Sequence, residues 1–126
     1  MSKTAITSPE LSPPVGPFSQ AIKVDGFIYF SGQVGQDPAT GKIVEGGIVA
    51  ETERVFQNLS AVLKAAGKSF DDVVRVGVFL TSMSDYAPLN GIYAKHFRQP
   101  FPARTTIAAA ALPLGARVEI DLVVKA

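Results

Sequence analysis

Two prolines, Pro100 and Pro102, fix where one element ends and the next begins, and they constrain this fold more than any other feature. A proline has no N–H to donate, and it biases the residue before it towards extended geometry. The two prolines therefore end the preceding helix and deliver Ala103 and Arg104 to the start of a new strand. The motif FPARTT at residues 101–106 thus predicts a guanidinium at the mouth of a strand.

The new strand has a predicted partner at the end of the chain. Residues 105–112 form an apolar run typical of a strand, residues 112–116 indicate a turn, and residues 117–125 alternate as a second strand. We expect the two strands to be neighbours. In that arrangement Arg104 and Glu119 face each other across one pocket.

Two further strands and a central strand are predicted upstream. Asp25-Gly26 separates the β-rich runs 18–24 and 27–32, and an Asp-Gly pair readily adopts the positive φ of a two-residue hairpin turn. Residues 73–80 are apolar on both faces except for Arg75. That pattern is typical of a central strand covered on both sides.

Two stretches carry the three- and four-residue apolar spacing of a helix. Residues 49–66 form the first, and Gly67 predicts its end. Residues 85–97 form the second, with Ser84 as the predicted N-cap. The order of elements predicts a single α+β domain, a mixed sheet with two helices packed on one face. A partner subunit is the simplest cover for the other face.

Composition narrows the classes of function. The 126 residues are 47% hydrophobic, and the mean hydropathy of +0.23 is high enough to predict an apolar contact with another subunit. No run has the length of a membrane helix and the N-terminus lacks an apolar signal core, so we expect a soluble cytoplasmic protein without membrane contact. A net charge of +1 without a basic block argues against nucleic-acid binding. The absence of cysteine removes disulfides, thiolate nucleophiles and cysteine-bound zinc.

Arg104 and Glu119 each allow two interpretations. Arg104 can bind an anionic substrate through a bidentate fork, or it can form a structural ion pair with Glu119 or Asp121. Glu119 can be a half-buried general acid/base with a raised pKa, or a carboxylate on a solvated sheet face. Spacing alone favours the solvated interpretation of Glu119 and leaves Arg104 undecided.

The other polar residues carry weaker signals. Nothing pairs Ser31 with a base, and the lone His96 falls on an apolar helical stripe, as expected of a packed core histidine. Asn90 is a poor helix former inside a predicted helix, which indicates a side-chain hydrogen bond. No metal-binding spacing, P-loop or dinucleotide motif is present in the sequence.

Several short motifs resemble those of one known family. They occur in the order GPFSQA at residues 16–21, SGQ at 31–33, NL at 58–59, AAG at 65–67, Asn90 with Tyr93, FPAR at 101–104 and VEI at 118–120. Together they resemble the RidA (YjgF) family of reactive-intermediate deaminases over nearly the whole chain. The FPAR segment with the later VEI is the specific part.

The resemblance implies a chorismate-mutase-like α+β fold and a homotrimer with sites in clefts between subunits. It implies hydrolysis of reactive enamines and imines, such as 2-aminoacrylate and 2-iminobutyrate, to 2-keto acids and ammonia, without a cofactor. In enzyme terms this is a 2-iminobutanoate/2-iminopropanoate deaminase. The small-molecule imine or 2-keto acid is then the ligand.

The resemblance also assigns roles residue by residue. Arg104 matches the arginine that binds the substrate carboxylate, and Glu119 matches the glutamate that positions or activates the attacking water. The remaining matches are substrate contacts: the polar side chains Ser31 and Asn90, and the backbone of Gly32 and Thr106.

Two positions depart from the family pattern and define the alternatives. Phe18 stands where many active members carry tyrosine, and Thr106 stands where a cysteine is common. A missing hydroxyl at Phe18 keeps open a second function, a non-catalytic binder of 2-keto acids that uses the same Arg104 cleft. A third function, an endoribonuclease or translation inhibitor, is disfavoured by the near-neutral charge.

Overall fold

The computed structural model describes residues 2–126 and shows a mixed sheet with helices along one face. The strands are β1 (Thr4–Ile6), β2 (Ala21–Val24), β3 (Phe27–Val34), β4 (Val73–Leu80), β5 (Ala103–Ala108) and β6 (Val118–Lys125). The helices are α1 (Gly47–Ala65) and α2 (Tyr86–Tyr93). The strand order is β1-β2-β3-β6-β4-β5, with β4 and β5 as the parallel pair. The α+β fold class is confirmed.

Helix α1 forms where the apolar stripe predicts it, within two residues at each end. Its end is a Schellman motif: Lys68 N–H donates to the Leu63 carbonyl at 2.9 Å, and Gly67 N–H donates to the Lys64 carbonyl at 3.0 Å. Gly67 has a φ of 71°, which glycine adopts without a Cβ clash. The C-terminal boundary of α1 is therefore set by Gly67.

The hydrophobic core lies between the helices and one face of the sheet. On β3 it takes Ile28 and Phe30, while Phe27 and Tyr29 of the same strand remain 45% and 48% exposed on the opposite face. This alternation confirms the predicted hairpin, in which β2 pairs with β3 around Asp25. The other core residues on the sheet are Ala21, Val73, Val76, Val78, Leu80, Val118, Ile120, Leu122 and Val124.

The predicted pairing of the last two strands is wrong. β6 lies between β3 and β4 and is antiparallel to both, whereas β5 pairs with the far side of β4 and ends the sheet. β5 also stops at Ala108, short of the predicted Leu112. The alternating apolar side chains of β6 fill a central position, and the local turn signal at residues 112–116 carries no information about which strand β6 joins.

The prediction that β4 is covered on both faces is also wrong for the single chain. Val76 and Val78 are buried beneath the helices, but Arg75 and Val74 are exposed. The uncovered side of the sheet also carries Tyr29 and Ile107, each nearly half exposed. We call this side the open face.

The second helix is shorter than predicted. It ends at Tyr93, and the chain continues in tight turns in which Lys95 N–H and His96 N–H bond the carbonyls three residues earlier. Ser84 is not its N-cap; Ser82 instead caps a preceding 3-10 turn by accepting from Ser84 N–H. Within residues 2–126, no helix combines the length and apolarity needed to cross a bilayer.

Candidate active site

Four of the predicted site residues line one cavity of about 930 Å³. It lies between the N-terminal arm, the bulged end of β3 and the connection that leads into β6. Phe18 comes from the arm, Ser31 and Gly32 from β3, and Glu119 from β6. The register of β3 against β6 shifts between Phe30 and Gln33, and this bulge turns the end of β3 towards the cavity.

Glu119 lies directly against the backbone of β3. A Cβ at Gly32 would collide with its carboxylate, so glycine is what allows this approach. Burial raises the pKa of Glu119, and the negative charge of Asp121 on the same face of β6 raises it further. Of the two interpretations left open by the sequence, the structure favours the half-buried carboxyl over the solvated one that spacing alone favours. A half-buried carboxyl with a raised pKa suits proton transfer near neutral pH.

Ser31 holds the N-terminal arm as well as lining the cavity. Its hydroxyl donates to the Ser19 carbonyl at 2.6 Å, and its backbone N–H donates to the Gln20 carbonyl at 3.0 Å. The Ser31 oxygen therefore keeps only acceptor capacity towards a ligand. Phe18, at the other end of this segment, is 55% exposed and presents a ring without a hydroxyl.

Arg104 lies in a second cluster, against helix α2. Its guanidinium carbon is 4.6 Å from the ring centre of Tyr93 and 5.5 Å from that of Tyr86, and Nη2 donates to the Tyr86 hydroxyl at 3.1 Å. Among the described residues Arg104 forms no ion pair, so the structural ion pair with Glu119 or Asp121 is not present within the chain. The guanidinium keeps most of its five N–H donors for a ligand.

Asn90 and Thr106 complete the second cluster. Asn90 lies one turn after Tyr86 on α2, and its hydrogen bonding, followed by that of Arg104, lowers the pKa of Tyr86. Thr106 follows Arg104 by two residues and shares its side of β5. Its hydroxyl is buried and has no hydrogen-bond partner among residues 2–126. β5 is an edge strand, so part of its backbone is unpaired in one chain.

The two clusters point to opposite faces of the sheet, which contradicts the predicted shared pocket. Arg104 is in register with Val76, whose side chain is buried beneath the helices, whereas Glu119 is in register with Phe79 on the other side of β4. β4 also separates the two strands, which places their backbones roughly 10 Å apart. One chain therefore contains two half-sites, the Glu119 half-site and the Arg104 half-site.

His96 does not join either half-site. Its ring stacks on Phe56 at 4.2 Å and packs against Phe70, and burial lowers its pKa. This matches the predicted packed histidine. In residues 2–126 no three histidine and acidic side chains gather closely enough to hold a metal ion.

Sequence reasoning did not single out Tyr86, Tyr93 or Asp121 as site residues. Tyr86 and Tyr93 could have been found from their spacing, because Tyr86, Asn90 and Tyr93 are spaced as residues on one face of a helix are. That face meets Arg104. The sequence relates Asp121 only to Arg104, as an ion-pair partner; the structure places its side chain against the backbone of Gly77, where burial raises the pKa of Asp121.

The fold and the two half-sites define a small α+β domain that presents an arginine without a carboxylate partner among the described residues, and a half-buried carboxyl. Residues 9–126 match the model of the Endoribonuclease L-PSP family. The chain is 48% identical to the 2-iminobutanoate/2-iminopropanoate deaminase of Mus musculus over 109 residues, which cover 86% of this chain and 81% of the mouse protein.

Comparison with solved structures points to the same family. A Rid family protein, YyfA from Yersinia pestis, superposes with a TM-score of 0.95 at 39% identity, covering 99% of this chain and 100% of that one. TdcF of E. coli, solved with bound serine, has a TM-score of 0.89 at 26% identity and 98% coverage of each chain. The chain therefore belongs to the Endoribonuclease L-PSP family, the RidA (YjgF) family that its motifs resemble.

Proposed function

We propose that this protein hydrolyses reactive enamines and imines of small 2-amino acids, such as 2-aminoacrylate and 2-iminobutyrate, to 2-keto acids and ammonia. The observation that carries the proposal is Arg104, whose guanidinium packs against two tyrosine rings and has no carboxylate partner in the described chain. A fixed arginine of this kind suits a substrate carboxylate. Relatives that carry the name of this deaminase support the reaction.

We further propose that each site combines the Arg104 half-site of one subunit with the Glu119 half-site of another, in a homotrimer. The two half-sites lie on opposite faces of one chain, so a single copy cannot bring both to one small substrate. The open face, with Tyr29 and Ile107 nearly half exposed, and the edge strand β5 supply surfaces for such an assembly. Cytoplasmic location remains part of the proposal.

The chemistry follows from these two groups. Arg104 binds the substrate carboxylate and holds the electrophilic imine carbon in place. The Glu119 carboxylate takes a proton from a water as its oxygen adds to that carbon, and returns it to the nitrogen. In the resulting carbinolamine, Glu119 takes the hydroxyl proton and passes it to the nitrogen as the C–N bond breaks. Ammonia leaves and the 2-keto acid remains, so one water is consumed for each C=N bond cleaved. An enamine first becomes the imine by protonation at carbon, for which protonated Glu119 is the available acid.

The test is hydrolysis of 2-iminobutyrate, generated in place by a threonine dehydratase while semicarbazide competes for the imine. Wild type should outcompete semicarbazide, and Arg104→Ala should lose at least ~100-fold in kcat/KM because a charged bond to substrate is removed. Arg98→Ala is the matched control. Among the described residues Arg98 pairs only with Asp71, in an exposed ion pair, so its loss should leave turnover unchanged.

Phe18 favours one second candidate, a binder of 2-keto acids without turnover. The same experiment separates it, because a wild type that binds 2-ketobutyrate but does not deplete the imine is a binder. The family description names an endoribonuclease. RNA cleavage that persists in Arg104→Ala after further purification would support that activity and would contradict a shared site.

A further inference from the structure

Tyr86 occupies a position that the proposed reaction does not yet use. Its hydroxyl accepts a hydrogen bond from Arg104 Nη2 at 3.1 Å, and the residue is 39% exposed at the start of α2. Tyr93, the second ring against the guanidinium, is only 8% exposed, and its hydroxyl is buried without a partner among the described residues. Tyr86 is thus the phenol that meets Arg104 from the accessible side.

The hydroxyl hydrogen of Tyr86 is free to donate a hydrogen bond. A phenol oxygen that accepts from Arg104 still has its own O–H to give. Asn90 and Arg104 stabilise charge on the same oxygen, which makes the O–H a better donor. Among residues 2–126 no group accepts that hydrogen. A carboxylate on Arg104 would place an acceptor oxygen next to it.

We propose that Tyr86 is a second substrate-binding residue, which fixes the Arg104 guanidinium and donates its phenolic hydrogen to the substrate carboxylate that Arg104 binds. This inference rests on the proposed function, because it takes the Arg104 half-site as the carboxylate site. Tyr86 thereby supplies a phenolic hydroxyl, which Phe18 does not provide.

The experiment compares Tyr86→Phe with wild type in turnover of 2-iminobutyrate and in equilibrium binding of 2-ketobutyrate. The substitution removes one oxygen and keeps the ring beside Arg104. We expect KM and Kd to rise ~10-fold while kcat changes less than ~2-fold, because the lost bond is made equally in ground and transition states. Ser60→Ala is the control, since it likewise removes one hydroxyl, and Ser60 is exposed on α1 and belongs to neither half-site.

A pH series separates direct donation from a purely structural role. Ionised Tyr86 cannot donate, and its negative charge would compete for Arg104, so wild-type binding of 2-ketobutyrate should weaken on the alkaline side. The ionisable groups of this cluster besides Tyr86 are Arg104 on β5, which contacts it, and Tyr93 on α2, which contacts the same guanidinium. Burial raises the pKa of Tyr93. The first alkaline limb therefore belongs to Tyr86 and should vanish in Tyr86→Phe.

The outcomes distinguish this inference from the proposed function. If Tyr86→Phe matches wild type in Kd and keeps the alkaline limb while Arg104→Ala loses binding, Tyr86 has no such role and the deaminase remains. If wild type binds 2-ketobutyrate without turnover, the deaminase is lost and the Kd comparison still decides Tyr86. If wild type binds no 2-keto acid and turns over no imine, both proposals are overturned.

Discussion

Gly32 controls how closely strand β3 approaches the Glu119 carboxylate. In Gly32→Ala the added Cβ collides with that carboxylate, so either Glu119 or the strand must move. We expect a loss of ~1–3 kcal/mol in unfolding free energy from overpacking. Turnover of 2-iminobutyrate should fall at least ~10-fold, because even a small displacement of a catalytic group is costly.

Urea unfolding and the semicarbazide competition assay measure the two effects. Gly26→Ala is the control, because, apart from its chain neighbours, no atom of residues 2–126 lies within 4 Å of its added Cβ. Its unfolding free energy should stay within ~0.5 kcal/mol of wild type. A Gly32→Ala protein that behaved like Gly26→Ala in both assays would show that Glu119 does not depend on this contact.

Asp121 adjusts the proton affinity of Glu119 through its charge. Burial is the larger cause of the raised pKa, and Asp121 contributes the rest. Asp121→Asn removes the neighbouring charge and should lower the pKa of Glu119 towards its ordinary value. If Glu119 acts as a carboxylate base, activity falls as pH drops through that pKa, so the acid limb of kcat/KM should move to lower pH.

The profile of kcat/KM against pH measures this shift, with Asp71→Asn as a control in an exposed ion pair with Arg98. An acid limb that stayed in place, or moved to higher pH, would mean that another group controls it.

At the scale of elements, Asn58 fastens helix α1 to the end of β3. The residue is 2% exposed, and its side-chain amide donates to the Val34 carbonyl at 3.1 Å and the Gln36 carbonyl at 3.0 Å. Asn58→Ala leaves both carbonyls without this donor and should cost about 2 kcal/mol of unfolding free energy. The exposed neighbour Gln57→Ala should change it by less than ~0.5 kcal/mol. Equal midpoints in urea for the two variants would contradict the role of Asn58.

Elements governed by local chemistry follow from the sequence. The stripe on α1 and its glycine end, and the Asp25-Gly26 turn, depend on residues within one or two turns of each other, and both predictions are confirmed. The sequence predicts the end of α2 less accurately. Phe97 is buried although the helix ends at Tyr93, because an apolar position contributes to the core in a tight turn as readily as in a helix.

The relation between Arg104 and Glu119 depends on strand order, which no local pattern specifies. The sequence places Arg104 at a strand mouth and Glu119 on the less apolar face of its strand, and both placements hold. The insertion of β6 between β3 and β4 separates them, and it depends on contacts between residues far apart in the chain. The tyrosines around Arg104 were also missed, since their role appears only when α2 packs beside β5.

At the scale of the whole molecule, two variants that are each inactive should restore activity when their subunits mix in the proposed trimer. Arg104→Ala retains an intact Glu119 half-site, and Glu119→Gln retains an intact Arg104 half-site. Mixed trimers, formed by joint refolding or co-expression, then contain about one intact site in three, in a ring of three equivalent interfaces. We expect each variant alone to be inactive and the mixture to recover about a quarter of wild-type turnover.

Sedimentation of the wild type should give three copies per particle, and tagged subunits would verify that the variants have mixed. Mixed particles without recovered turnover would place both half-sites of each functional site in one chain.

The opposite orientation of Arg104 and Glu119 also has a consequence for how this sequence can evolve. Residues that change together over evolution usually touch each other. Substitutions near Tyr86 should be matched by substitutions near Phe18, although the two positions lie in different half-sites of one chain. Within one chain these two positions are not in contact, so their correlated substitutions would look like a false contact. In an alignment of related sequences, the correlated pair would instead indicate which surface of one subunit contacts which surface of the next in the proposed trimer.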